Sequence, residues 1–181
     1  MKIKLSKSLS LAIFTTVATI LTVTFMSCTT KNIADNKRDN VIIGMANPFI
    51  DFTSLKEAED FTGFTLTLPT SIPDWVTKTI YRGSTVNMKL IEIIYAQDEK
   101  LTNEIRVRKA TDTENKKDIS GDYNTYEKES NIKIAGNKVR VRYNGEKIYT
   151  ATWQKGRFSY SVNFSTGASE DFAKEFIAEI K

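Results

Sequence analysis

From residue 47 onward the chain alternates between apolar and polar positions in most of its segments. Phe64, Leu66 and Leu68 fall out of phase with Thr65 and Thr67, and Ile105 and Val107 with Arg106 and Arg108. Further on, Val139, Val141 and Tyr143 oppose Arg140 and Arg142, while Phe158, Tyr160, Val162 and Phe164 oppose Ser159, Ser161 and Asn163. A strand turns successive side chains to opposite faces, so this period predicts strands with one buried and one wet face, and hence an antiparallel sheet. Gly83, Gly136, Gly145 and Gly156 each separate two alternating runs, and Pro69 and Pro73 bracket a loop, LPTSIPDW, that closes the first of them.

Two segments change period. Ser54 and Glu57 have the spacing of a helix capping box, Leu55, Ala58 and Phe61 then share a face, and Gly63 is placed to end the helix. Near Ser169 a second helix is expected, with Glu170 and Asp171 at the positive end of its dipole. Its stripe of Phe172, Ala173, Phe176, Ile177 and Ile180 must dock on something. The fold class that follows is α+β, a meander sheet of about seven or eight strands covered by two helices.

Turn chemistry also predicts register. A two-residue turn at Gly136-Asn137 pairs Ile134 with Val139 and Ile132 with Val141. The next connection is expected to span Asn144, Gly145 and Glu146 with a glycine bulge, pairing Val141 with Tyr149 and Val139 with Ala151. A turn at Lys155-Gly156 then sets Trp153 beside Phe158 and Ala151 beside Tyr160, so one face is continuously apolar. The opposite face collects Lys133, Lys138, Arg140 and Arg142 with Thr150, Thr152, Ser159 and Ser161, either a candidate surface for an anionic ligand or an ordinary solvated face balanced by nearby acids.

The first 46 residues have a different character. Lys2, Lys4 and Lys7 precede a stretch, 9–26, that is apolar but rich in Thr, and no charge occurs from residue 8 to residue 30. This is the layout of an export leader, taken as residues 1–27. The run Phe25-Met26-Ser27-Cys28 resembles a bacterial lipobox, in which the cysteine is diacylated after cleavage. The alternative is an uncleaved anchor helix with an incidental thiol; both leave the chain tethered to a membrane, facing outside the cytoplasm. Residues 28–46 read as a polar, flexible tether and residues 47–181 as a single α+β domain, long enough for one core.

Composition narrows the chemistry. There is no histidine and one cysteine, which removes Cys/His zinc sites, intramolecular disulfides and Ser-His or Cys-His catalysis. The formal charge of +4 shrinks once the leader's three lysines are removed, leaving 23 basic against 22 acidic residues. That is no nucleic-acid footprint. The loop DISGDYN, residues 118–124, places Asp118, Ser120, Asp122 and Asn124 at alternate positions as a calcium loop does, but lacks the closing acid and equally suits a tight turn. Glu92 with Glu104, or Asp118 with Asp122, are the carboxylate pairs open to acid–base work. Trp75, Trp153, Phe158 and Tyr160 serve either a ligand groove or the core. No cofactor, metal or catalytic residue is assigned.

The runs GFTLTLPTSIPDW (63–75), IEIIYAQ (91–97), IRVRKA (105–110), DISGDYN, ATW (151–153) and FSYSV (158–162) resemble the family called domain of unknown function 4367. That resemblance implies a bacterial cell-envelope setting, often as a lipoprotein or the outward part of a membrane-bound regulator, and it supplies no catalytic residues. Three activities stay in view: a binding or sensing module for an envelope protein or anionic polymer, a carboxylate-dependent hydrolase, and a carrier of apolar molecules. A lipid on Cys28 has a direct consequence. Cys28→Ser should abolish metabolic fatty-acid labelling and leave the precursor uncleaved; unchanged labelling refutes the assignment.

Overall fold

A computed structural model describes residues 47–111 and 118–181. The leader, Cys28 and the tether lie outside the described residues. Met45–Lys181 form one compact unit. Its elements are β1 (Ile50–Phe52), α1 (Leu55–Thr62), β2 (Lys78–Ser84), β3 (Lys89–Ala96) and β4 (Glu104–Thr111), followed by β5 (Lys128–Ile134), β6 (Asn137–Asn144), β7 (Lys147–Lys155), β8 (Phe158–Ala168) and α2 (Glu170–Ala178). Among the described residues no helix is long and apolar enough to cross a membrane.

The strands make one antiparallel sheet in the order β1-β2-β3-β4-β8-β7-β6-β5. The α+β class therefore holds, but the single meander does not. Two four-stranded meanders run toward each other, and β4 pairs with β8 rather than with its successor β5. Turn residues mark where a hairpin closes; they carry no signal for a pairing made between distant segments. The chain must then travel from the middle of the sheet to its far edge between β4 and β5. The described part of that connection crosses the polar face.

Residues 64–68 form no strand. Phe64 and Leu66 are buried by insertion over the sheet's apolar face, and Thr67 exchanges backbone hydrogen bonds with the last residue, Lys181, at 2.8 and 3.3 Å. Alternation requires only one buried side, and the core supplies that without a ladder partner.

The first and third right-hand hairpins turn one residue away from the expected positions, and the second turn is one residue shorter than expected. Ala135 and Gly136 form the first turn, both with positive φ, so Ile132 pairs with Val139. Gly145-Glu146 forms the second and Gly156-Arg157 the third, with the glycine at the first central position of each. An even turn at Gly145-Glu146 puts Val141 out of phase. The repair is a bulge at Tyr149 inside β7, not in the turn, after which Arg142 pairs with Thr150 and Val141 with Ala151. Trp153 pairs with Tyr160 and Ala151 with Val162. On its other side Tyr149 meets a larger irregularity of β8, where Gly167 sits at φ +72°. A Cβ there would stand 2.8 Å from the Tyr149 ring, so only glycine fits.

The apolar face that results is continuous, and both helices pack on it. A row of cross-strand neighbours runs Phe52, Tyr81, Ile93, Val107, Val162, Ala151, Val141. Ser54 caps α1 by accepting the Glu57 N–H, while Glu57 reaches back to the Thr53 N–H at 3.0 Å. Ser169 caps α2 through the Phe172 N–H, and Ala173, Phe176, Ile177 and Ile180 are buried. Phe176 meets Tyr95 and Phe164 edge-on.

The last helix thus completes the core and, through Lys181, holds the 64–68 segment. Phe176→Ala should cost about 3–5 kcal/mol of stability. Ending the chain after Gly167 should abolish cooperative thermal unfolding followed by circular dichroism; a truncated chain that melts as before would contradict this packing.

Candidate binding face

The opposite face carries the chemistry. One row crosses all eight strands as Asp51, Arg82, Glu92, Arg108, Ser161, Thr152, Arg140 and Asn131. A second runs Ile94, Arg106, Asn163, Thr150, Arg142, Glu129. Alternation places these side chains together because each strand contributes its polar phase.

Glu92 lies at the centre of the left half with only 1% of its side chain exposed. Arg108 grips it through Nε and Nη2, both at 2.6 Å, while Arg82 approaches the other oxygen at 3.5 Å and Arg106 stands at 3.7 Å. A buried carboxylate survives only with such partners. The remaining Arg108 nitrogen, Nη1, donates to the Ile119 carbonyl at 2.9 Å, and the guanidinium lies 5.7 Å from the Phe49 ring centre. Gly121 presses against the same guanidinium: with φ at +65°, a Cβ there would meet Nη1 at 2.5 Å.

The DISGDYN loop is tied to the right half. Asp118 accepts from the Ser120 N–H and hydroxyl and takes Arg142 Nη2 at 2.6 Å. Asp122 accepts from the Asn124 N–H at 2.9 Å and from the Tyr126 and Thr150 hydroxyls, and Asn163 Nδ2 donates to the Ser120 carbonyl. Burial opposes ionisation of both acids, but hydrogen bonds from Ser120 and charge from Arg142 hold Asp118 below the usual carboxylate range. Thr150, Tyr126, Asn124 and Arg142 do the same for Asp122. Because these folded-state pKa values are lowered, the stability they contribute is full above the unfolded carboxylate pKa and is lost as pH falls through the folded value. The alternating oxygens of the loop are thus spent on consecutive turns and on the sheet. Among the described residues no cluster of three or more Asp, Glu, Cys or His side chains is arranged to hold a metal.

All four cations expected on this face are there, in two situations. Arg140 Nη2 meets Glu129 at 2.6 Å, and Arg142 is committed to Asp118. Lys133 and Lys138 stand directly opposite each other, exposed and without an acid among the described residues. Arg140 and Arg142 line a cleft of about 340 Å³ with Asp122, Asn124, Glu129, Tyr123 and Tyr126. On the other side of Tyr123 a second cleft of about 320 Å³ is lined by Phe49, Val86, Met88, Leu90 and Ile119 beside Arg108. Tyr123 itself is 97% exposed, and Val86 56%. A smaller polar cleft of about 200 Å³ brings Glu104 near Asp122, Tyr126 and Asn163.

Arg106 stands between the first carboxylate pair, 3.7 Å from Glu92 and 2.6 Å from Glu104, and Asp118 and Asp122 are joined through Ser120 in the DISGDYN loop. Of the four aromatics considered for a groove, Trp153 and Tyr160 stack in the core at 5.0 Å, Phe158 packs against it, and Trp75 lines a cleft of about 270 Å³ with Phe172 and Phe164. Sequence reasoning missed Lys109, which lies on the apolar face with 6% exposure. Its ammonium donates to the Thr65 carbonyl at 2.6 Å and stands 4.5 Å from the Phe158 ring centre, and burial lowers its pKa. The signal was present, because Lys109 continues the apolar phase of Ile105 and Val107. The chain matches no protein-family model, no curated protein and no solved structure.

Removing the carboxylate at the centre of the arginines leaves uncompensated buried charge. Glu92→Ala should lose about 3–5 kcal/mol in urea unfolding, against less than about 1 kcal/mol for the exposed pair broken by Glu129→Ala. Equal small losses would refute the central role given to Glu92.

Proposed function

We propose that this chain is a lipoprotein of a bacterial cell envelope, anchored through Cys28, whose domain binds or senses a partner and performs no catalysis. The leader layout and the lipobox-like run support the anchor. The resemblance to the domain of unknown function 4367 family supports the setting, and rests on the quoted segments rather than on a family-model match. Two acyl chains hold a protein on a bilayer far more durably than one.

The observation that carries the binding role is Tyr123. A large aromatic ring 97% exposed, on a loop fastened to the sheet at both ends, separates a cleft lined by guanidinium groups from an apolar one. Tyrosine in such a place presents wide contact area at small entropic cost. The partner that suits this face carries an apolar group and an acidic one, as an envelope protein segment or a lipid-bearing anionic polymer does. Against catalysis stands the state of the acids: Asp118 and Asp122 are held ionised and fully engaged, whereas a general acid needs a raised pKa. The carrier reading fares worse, since the layer between sheet and helices is packed by Val107, Val162, Phe176 and Ile177.

A photo-crosslinking amino acid at Tyr123, in the full chain on its own membranes, should give a discrete product. Arg140→Gln should reduce its yield about tenfold at low salt, the loss of one charge-assisted contact. The same label at exposed Glu175 on α2 should give none. Equal products at both positions, or none at Tyr123, would remove this face from the binding role.

A further inference from the structure

We propose that two copies of this chain associate edge to edge through β5, antiparallel about Asn131, to make one sheet that continues across both molecules. The argument starts from the two ends of the sheet. β1 has three residues, Ile50–Phe52, while β5 has seven, Lys128–Ile134. Long edge strands are usually blunted by proline, by a bulge or by charge. β5 contains no proline, and its ladder with β6 runs without a shift from Lys128 opposite Tyr143 to Ile134 opposite Asn137. Among the described residues, charge is the safeguard that remains.

The two-residue turn at Ala135-Gly136 makes the flanking pair, Ile134 and Asn137, a hydrogen-bonded one. Alternation then points the N–H and C=O groups of Glu129, Asn131 and Lys133 away from β6, and among the described residues nothing hydrogen-bonds them. Read backward about Asn131, the strand KESNIKI is complementary to itself. Glu129 falls opposite the second copy's Lys133, Asn131 opposite its counterpart, and Lys133 opposite Glu129. Every outward residue meets another outward residue, so about six backbone hydrogen bonds form in register.

Side chains agree with the backbone. Glu129 and Lys133 both project on the polar face, where each meets an opposite charge across the new ladder. Lys133 has no acid partner among the described residues and faces Lys138, a like-charge pair that is unfavourable as it stands. Glu129 uses Oε2 for Arg140, and Oε1 has no partner among the described residues, with 46% of the side chain exposed. A second copy therefore supplies the counter-ion that this hairpin lacks. Of the residues on this strand only Glu129 also lines the guanidinium cleft beside Tyr123, so the two contacts adjoin there.

The test uses the full chain in detergent, carrying Asn131→Cys, with the unaltered chain and its single Cys28 as background. Across a hydrogen-bonded antiparallel pair the two Cα atoms lie about 5.5 Å apart, within disulfide reach. Mild oxidation should give a covalent dimer from Asn131→Cys and not from the background. Adding Lys133→Glu sets Glu against Glu in both symmetric contacts and should cut cross-linking at least about tenfold, while relieving Lys138 within the chain and so leaving the fold intact. Adding Glu129→Lys instead sets Lys against Lys. Mixing these two charge variants should restore cross-linking, as a heterodimer in which every opposed pair is again unlike. Cross-linking that ignores Lys133→Glu, or that is absent from Asn131→Cys altogether, would overturn the proposal, as would a mixture that fails to recover while both charge variants melt like their parent.

Discussion

The domain is organised around the pairing of Arg108 with Glu92. Both side chains lie on the polar face of adjoining central strands, and the carboxylate is sealed from water. Desolvating such a pair is expensive, and the Coulombic gain repays it only when the remaining hydrogen-bonding groups also find partners. Arg108 finds one in Ile119 of the crossing loop, and a face-on neighbour in Phe49 where the chain enters the domain. One guanidinium therefore joins sheet, loop and N-terminal entry. Arg82 and Arg106 close the ring of charge around Glu92 and extend the same field to Asp51 and Glu104.

The pairing of β4 with β8 makes that arrangement necessary. With β5 placed at the far edge, the connection from β4 has to pass over one face of the sheet, and the helices already occupy the other. A loop laid on a sheet brings backbone carbonyls that need donors. The polar phase of β4, β6 and β8 supplies them as Arg108, Arg142 and Asn163. The loop reciprocates with Asp118 and Asp122, so the face that looks strongly basic along the strands is nearly balanced once the crossover is in place. What escapes that balance is confined to the hairpin end, at Lys133 and Lys138, and to the exposed ring of Tyr123.

Much of this was legible in the residues themselves. Alternation located β4, β6 and β8 and assigned their faces correctly, because burial of one face fixes which phase is apolar whatever the neighbour strand is. Capping chemistry located the first helix for a similar reason, since Ser54 and Gly63 satisfy local backbone groups that every helix end exposes, and the apolar stripe behind Glu170 and Asp171 located the second. The four cations of the candidate anion surface, Lys133, Lys138, Arg140 and Arg142, were likewise placed on a common face.

Tertiary structure decided what depends on distant partners. Whether Phe64, Leu66 and Leu68 form a strand rests on a hydrogen-bonding neighbour, and their neighbour is the chain's end rather than the sheet. The repair of phase in β7 moved to Tyr149 because Gly167, on another strand, leaves room for its ring there. Arg142 is paired rather than free because a loop some twenty residues earlier in the chain returns with Asp118, while Arg140 takes Glu129 from the adjoining strand. Period and composition fix which face a side chain takes, since that is local geometry. Which charges meet across that face is set by strand order, and strand order is a property of the folded chain as a whole.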